Sequence, residues 1–382
     1  MLRRGYFRKF HSYLLGCASE VGAPLLRWGG RVVTGGPFLP PHSWKRGLII
    51  SHTRIGDVLF RSCSLEALKR GLPDCEWHYL AASDSAEVLR GNPFLESVLP
   101  LCDSRGALRL GPGGAAELRQ MQFDVALCTN TETYWQDHQV ALSAHIANRA
   151  GFTHRGLSGL VTHPIPYTGR AAWAAYFRTM VCHLTGVPAD GPLIPRIYAS
   201  KADESEAVAQ WRKMGLPERG PVLACFMTTR ERSLVWPRDN YQRALQWVHQ
   251  KSRANLVLCG AKQDARVLTE FAGQCGVPCR VMAGDLGLRG LCCFLRRCSA
   301  VLTADSGPRH IANAAGTPVV FIRNLYCSKI ETGKYCENEI DLSPDADFVP
   351  PEEQEYQLRR VAPDAVAETL LQFLDNKRPI RG

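Results

Sequence analysis

The chain has 382 residues, 45% hydrophobic and 21% charged, with a formal net charge of +10. That length exceeds one small domain and suits two of roughly 150–200 residues, and the apolar content excludes a disordered chain. No run of about 18 apolar residues is present, so no transmembrane helix is expected, and the first 30 residues lack the apolar core and cleavage site of a secretory signal.

Most of the positive charge sits in residues 1–46, where Arg3, Arg4, Arg8, Lys9, Arg27, Arg31, Lys45 and Arg46 face one acid, Glu20. The rest is nearly balanced and shows no recognised nucleic-acid module, so no nucleic-acid partner is expected. Within this extension Leu2, Tyr6, Phe7, Phe10, Tyr13 and Leu14 fall on one side of a helical wheel and Arg4, Arg8, His11 and Ser12 on the other. An apolar aromatic face beside a cationic one suits a helix on an anionic membrane surface, through residues 2–14. It also suits an amphipathic helix packed on the protein's own body. Gly35-Gly36-Pro37 and Pro40-Pro41 then break regular structure.

Beyond residue 46 short apolar runs alternate with helical periodicities. Strands are predicted at 47–52, 76–81 and 123–128, and helices at 58–70, 84–91, 136–149 and 171–185. A second series follows the Pro- and Gly-containing stretch 191–200: a helix at 203–215, strands at 221–226, 255–259, 300–304 and 318–322, and helices at 239–252, 263–274, 288–297 and 307–316. The acidic stretch 337–355 reads as a surface loop, and a helix at about 361–375 closes the chain. The predicted class is α/β, with two Rossmann-like doubly wound domains facing a central cleft and ligands at the carboxyl ends of their strands.

The 15 cysteines are an odd number, scattered through apolar segments such as those holding Cys128 and Cys259, which suits reduced core thiols. The densest cluster, Cys275, Cys279, Cys292, Cys293 and Cys298 with Cys327 and Cys336 beyond, contains no C-x2-C spacing. No metal site is therefore expected.

Three segments carry chemistry. In 301–322 a strand ends at Ala304 and Asp305-Ser306-Gly307-Pro308-Arg309-His310 opens a helix. Pro308 is tolerated early in a helix, Gly307 admits close backbone approach, and the helix start is a ready anion site. His310 lies in the first turn. Asp305 or Ser306 as a helix cap is the competing reading. In 50–68 a strand leads through Thr53-Arg54-Ile55-Gly56-Asp57 into a helix, and Asp57 there suits either a proton acceptor for an attacking hydroxyl or an N-cap. In 224–241 Thr228 and Thr229 offer hydroxyls and amides to a phosphate, Arg230 and Arg232 add charge, and Trp236-Pro237 fixes the start of a helix. A polar loop with solvated arginines is the alternative.

These segments, in this order, resemble glycosyltransferase family 9, the ADP-heptose:lipopolysaccharide heptosyltransferases, from about residue 47 to 325. The matching elements are Gly56-Asp57-Val58, Thr228-Thr229-Arg230 with Trp236-Pro237, and Asp305-Ser306-Gly307-x-x-His310. The resemblance implies a GT-B architecture and inverting, metal-independent transfer without a cofactor. It makes Asp57 the general base and Thr228, Thr229, Asp305, Ser306, Gly307 and His310 the donor site, to which the loop's own charge adds Arg230 and Arg232. Arg54 and Arg61 flank Asp57 as candidate contacts for an anionic acceptor, or as solvated side chains. The implied domains are an extension at 1–46, an acceptor domain at 47–195, a donor domain at 196–360 and a final helix at 361–382 packing back toward the first domain. The implied partners are ADP-heptose or another nucleotide-sugar and a lipid-linked or surface-glycan acceptor, for a cytoplasmic enzyme peripheral on the inner face of the cytoplasmic membrane. One departure is Leu234, where the family usually places a lysine two residues before Trp-Pro. Another nucleotide-hexose donor, or a non-catalytic membrane-associated nucleotide-sugar-binding protein, are the competing expectations.

Overall fold

The computed structural model describes residues 37–51, 54–102, 112–130, 135–154, 156, 158–229 and 235–374, with 20–22 and 25. The expectations for residues 2–14 and for Arg230, Arg232 and Leu234 fall outside them. The chain divides into two compact units, Met1–Leu193 and Ile194–Gly382, two residues before the boundary expected from sequence.

The first unit runs β1 (Arg46–Ile50), α1 (Ile55–Ser62), α2 (Leu65–Gly71), β2 (Glu76–Ala82), α3 (Ser83–Ala86), β3 (Ser97–Cys102), α4 (Pro112–Gln120), β4 (Val125–Cys128), α5 (Trp135–Ser143), β5 (Asn148–Phe152), β6 (His163–Ile165) and α6 (Trp173–Thr185). The second runs α7 (Lys201–Lys213), β7 (Val222–Phe226), α8 (Arg238–Ser252), β8 (Asn255–Gly260), α9 (Ala265–Gln274), β9 (Cys279–Ala283), α10 (Leu288–Arg296), β10 (Ala300–Ala304), α11 (Gly307–Ala315), β11 (Val319–Ile322), α12 (Lys329–Thr332), β12 (Glu339–Asp341), α13 (Pro351–Arg359) and α14 (Pro363–Leu374).

Each unit holds a six-stranded sheet, ordered β3-β2-β1-β4-β5-β6 and β12-β11-β10-β7-β8-β9, and every pairing is parallel. Numbered within its own unit, the second sheet has the same order as the first. Helices cover both faces of a parallel sheet, so its central strands are buried end to end and read as unbroken apolar runs. Val222–Phe226 and Ala300–Ala304 are of this kind. Local signals set the helix ends: Ser200 and Asp203 form a reciprocal cap at the start of α7, and Gly316, at φ 72°, ends α11 in the left-handed conformation glycine favours.

Five strands escape the sequence reading: β3, β5, β6, β9 and β12. The helix predicted at 136–149 stops at Ser143; His145 turns left-handed at φ 58° and Asn148–Phe152 becomes β5. The polar Asn148 and Arg149 sit in this buried strand because backbone carbonyls satisfy them, Arg149 donating to Ile146, Ala147 and Leu160. The helix at 58–70 breaks at Cys63–Ser64 into α1 and α2. The supposed acidic surface loop contains edge strand β12, with Glu339 fully buried, and helix α13.

The final helix was expected to return toward the first domain. Its described part buries Val366, Ala367, Leu370 and Leu374 in the second unit's core beside Tyr241, Ala244 and Val248 of α8. Burial pushes the Cys75 and Cys292 thiols up to about 12 and Cys336 to about 11, which keeps them protonated and inert. Among the described residues no helix is long and apolar enough to cross a membrane.

Candidate functional site

Both sheets reverse their winding between a pair of adjacent strands, β1 and β4 in the first and β7 and β10 in the second. Helices leave such a pair toward opposite faces, which opens a crevice at the carboxyl ends of the strands. Each of the three motif segments leaves one of these four strands.

In the first unit α1 starts with Arg54, exposed and extended, as the residue before its first turn. Asp57 is the third helical residue, so it is not an N-cap; it is 9% exposed. One turn later Arg61 is 7% exposed, which places it inside rather than in solvent. Its Nη1 donates to the Asp57 carbonyl at 2.6 Å, its Nε to Thr129 Oγ1 at 2.5 Å and its Nη2 to Asn130 Oδ1 at 2.8 Å. Thr129 also donates to the Ile50 carbonyl at 2.9 Å. Thr129 and Asn130 directly follow β4, so Arg61 ties the helix after β1 to the loop after β4. Its guanidinium is engaged inward on these groups.

Asn130 Nδ2 in turn donates to Asp137 Oδ2 on α5. The other oxygen of Asp137 is buried with no hydrogen-bond partner among the described residues. Burial pushes this carboxyl up to about 7, only partly opposed by the Asn130 bond and Arg61. Burial likewise pushes the nearby Tyr79 phenol up to about 12.

In the second unit the register pairs Phe226 with Thr303. Thr228 and Thr229 therefore leave β7 beside the point where Asp305 and Ser306 leave β10. Both threonines are half-buried. Trp236 anchors the far end of their loop: its indole is buried, donates to the Val361 carbonyl at 3.1 Å and packs edge-on against Tyr241. Pro237 then precedes the first turn of α8.

Ser306 precedes α11 in an extended conformation and makes no side-chain cap bond. Its hydroxyl turns back to the Ala304 carbonyl at 3.4 Å. Asp305 places Oδ1 on Arg309 Nη1 at 2.9 Å. The start of α11 is thus not closed by the serine, and its amides and dipole favour an anion there.

Arg309 is wholly buried. It donates to both Glu339 oxygens, at 2.6 and 2.9 Å, and to the carbonyls of Thr332 and Gly333, at 2.7 and 2.6 Å, and its guanidinium lies 3.6 Å from the Phe321 ring centre. Burial works against its charge, but Glu339 and Asp305 outweigh that and hold its pKa above the usual value. Burial likewise disfavours the Glu339 carboxylate, and Arg309 more than compensates, leaving it below the usual range. Asp305 ends above its usual range because burial there exceeds what Arg309 returns. Asn313 Nδ2 donates to Glu339 Oε1 at 2.5 Å and to the Tyr335 hydroxyl at 3.1 Å, and that hydroxyl lies 2.8 Å from His310 Nδ1. Burial, with Arg309 alongside, pushes His310 down to about 3, so the imidazole is neutral at pH 7.

The structure therefore brings Thr228, Thr229, Asp305, Ser306, Gly307 and His310 to one end of the second sheet, and Arg54, Asp57 and Arg61 to the corresponding end of the first. Sequence reading missed the residues that brace them: Asn130 and Asp137 in one unit, Arg309, Asn313, Tyr335 and Glu339 in the other. Asp305, Arg309 and Asn313 are spaced four apart, one face of a helix, and that signal was available. Among the described residues no three His, Cys, Asp or Glu side chains are grouped to hold a metal ion.

Residues 115–338, more than half of the chain, match Glycosyltransferase family 9 (heptosyltransferase). That span contains the Thr228 and Asp305–His310 segments and begins after Asp57. Lipopolysaccharide heptosyltransferase 2 of Escherichia coli (strain K12) is 22% identical over 290 residues, 72% of this chain and 81% of that relative. The lipopolysaccharide core heptosyltransferase OpsX of Haemophilus influenzae is 29% identical over 108 residues, which is 28% of this chain and 30% of OpsX. The solved structure of the E. coli ADP-heptose lps heptosyltransferase II superposes with a TM-score of 0.67 at 19% identity, over 86% of this chain and 98% of that one.

Proposed function

The chain belongs to glycosyltransferase family 9, and from that premise we propose that it moves a heptose, or a related sugar, from a nucleotide-diphosphate donor to a hydroxyl of a lipopolysaccharide-core or other surface-glycan acceptor. ADP-heptose is the proposed donor, as named for a structurally similar enzyme. The observation that carries this reading is the placement of the motif segments. Asp57 follows β1 and the Thr228–Thr229 and Asp305–His310 segments follow β7 and β10, all at the points where the sheets reverse.

In this reading the first unit takes the acceptor and the second the donor. Asp57 accepts the proton of the attacking hydroxyl as that oxygen bonds to the anomeric carbon. The bond from that carbon to the diphosphate breaks on the opposite side, so configuration inverts. Negative charge gathers on the departing diphosphate. The amides at the start of α11, the Thr228 and Thr229 hydroxyls and a neutral His310 stabilise it through fixed dipoles, which serves the step without a metal. Arg230 and Arg232 add charge beside the phosphates. Asp305, held by Arg309, orients the donor sugar side of the site. The basic segment 2–14 holds the enzyme on the membrane face that carries a lipid-linked acceptor.

The test is a donor panel of ADP-heptose, UDP-hexoses and GDP-hexoses, read by thermal shift and then by transfer to a heptose-deficient lipopolysaccharide core. ADP-heptose should raise the melting temperature, His310→Ala and Thr229→Ala should reduce that rise, and the wild type should extend the acceptor. Stabilisation by a hexose donor alone would replace the donor; binding without transfer to any acceptor would sink the enzymatic reading.

A further inference from the structure

A directed chain of hydrogen bonds runs from Arg309 to His310, and each link fixes the polarity of the next. Arg309 can only donate, and both Glu339 oxygens accept from it. Glu339 is therefore a carboxylate, and the Asn313 group facing it at 2.5 Å is the amide nitrogen. The same nitrogen directs a second hydrogen at the Tyr335 oxygen, 3.1 Å away. That oxygen accepts from Asn313 and keeps its own hydrogen to give. His310 Nδ1 lies 2.8 Å from it, and an imidazole nitrogen is the better acceptor while a phenol is the better donor.

We propose that Tyr335 is a positioning residue for His310, fixing the imidazole as the Nε2–H tautomer so that it presents a neutral hydrogen-bond donor to the diphosphate of the nucleotide-sugar. The tautomer follows from the geometry of the second unit alone; its use on a diphosphate rests on the proposed function. The downward push on the His310 pKa agrees, since an imidazole that accepts at Nδ1 beside a buried guanidinium stays neutral. The backbone secures Tyr335 as well: its amide and that of Cys336 donate to Glu339 Oε2 at 3.0 and 3.3 Å. Among the described residues, Arg309 on its own helix and Glu339 on β12 are charged groups that face His310. One carboxylate thus holds the arginine, the amide and the tyrosine loop together.

The test uses the full chain labelled with 15N-histidine, read by long-range proton–nitrogen correlation near pH 7.5, with the His310 signals identified by their loss in His310→Gln. The unliganded wild type should show His310 unprotonated at Nδ1 and protonated at Nε2. An Nδ1–H tautomer or an imidazolium there would overturn the proposal, whatever any variant does. Tyr335→Phe should mix the two tautomers and weaken ADP binding about tenfold, the scale of one lost hydrogen bond. Asn313→Ala should mix them with the tyrosine still present, which separates polarity from packing; either variant keeping the wild-type tautomer and ADP affinity would count against the chain. Adding ADP to the wild type should move the Nε2 signal, and an unmoved signal in an ADP-bound protein would remove the diphosphate contact. A wild type that binds no ADP contradicts the proposed function instead, because the tautomer is read without ligand.

Discussion

Arg309 and Glu339 meet side by side, Nε to Oε1 at 2.6 Å and Nη2 to Oε2 at 2.9 Å, with neither side chain exposed. The pair joins the first turn of α11 to edge strand β12, so the helix start that leaves β10 is fixed from below by a strand 30 residues further on. Removing one partner strands a buried charge, at a cost of about 3–5 kcal/mol, whereas removing both leaves only the Asp305 carboxyl, which burial already pushes above its usual range. Arg309→Met and Glu339→Leu should each lower stability by about that amount, with the double variant well short of their sum. Urea unfolding of the four proteins checks this, and additive losses would show that the two residues act separately.

Asp137 gives a pH dependence of known sign. Its folded-state carboxyl is pushed up to about 7, against about 3.9 in an unfolded chain. Between those values the folded state keeps a proton the unfolded state has released, so stability falls as pH rises through that window and stays low above it. Asp137→Asn keeps an oxygen for Asn130 and removes the titration. Its melting temperature should therefore gain on the wild type between pH 5 and pH 8, with little difference at the acid end. A gap that stays constant over that range would mean that Asp137 is not the titrating group.

The motif loops were legible because strand, glycine and helix start lie consecutively in sequence. The two parallel sheets were legible because buried central strands such as Val222–Phe226 leave no polar interruption. What was hidden is side-chain satisfaction at long range. β5 begins with Asn148 and Arg149, which no strand pattern suggests, and they are tolerated only because carbonyls from distant turns accept from them. Glu339 was read as part of an acidic loop, since an isolated glutamate gives no sign of the arginine that buries it. Asp57 and Asp305 were each weighed as helix caps. The structure removes that reading by placing Asp57 at the third helical position and Asp305 on Arg309.

Arg61 should behave as an internal tether. Arg61→Lys keeps the charge but lacks the fork that reaches Thr129, Asn130 and the Asp57 carbonyl at once. Leaving those buried groups short of a donor should cost about 1–3 kcal/mol in stability. Under the proposed function it should also lower kcat by misplacing Asp57, with donor affinity unchanged because the donor groups lie in the other unit. Steady-state kinetics with varied donor separates these effects. A raised donor KM with normal kcat would assign Arg61 to donor binding.

Asp57→Asn is the sharpest test of the chemistry. The amide is nearly the same size and remains in the first turn of α1, so folding and donor stabilisation should match the wild type. What it lacks is the carboxylate charge that draws a proton from the acceptor hydroxyl. Loss of a general base costs about 10²- to 10⁴-fold in rate, and transfer by Asp57→Asn should fall by that order at saturating donor and acceptor. Thermal shift with ADP-heptose and product formation by mass spectrometry read the two quantities independently. Transfer at the wild-type rate would mean that another group takes the proton. A lost thermal shift would instead give Asp57 a part in holding the donor.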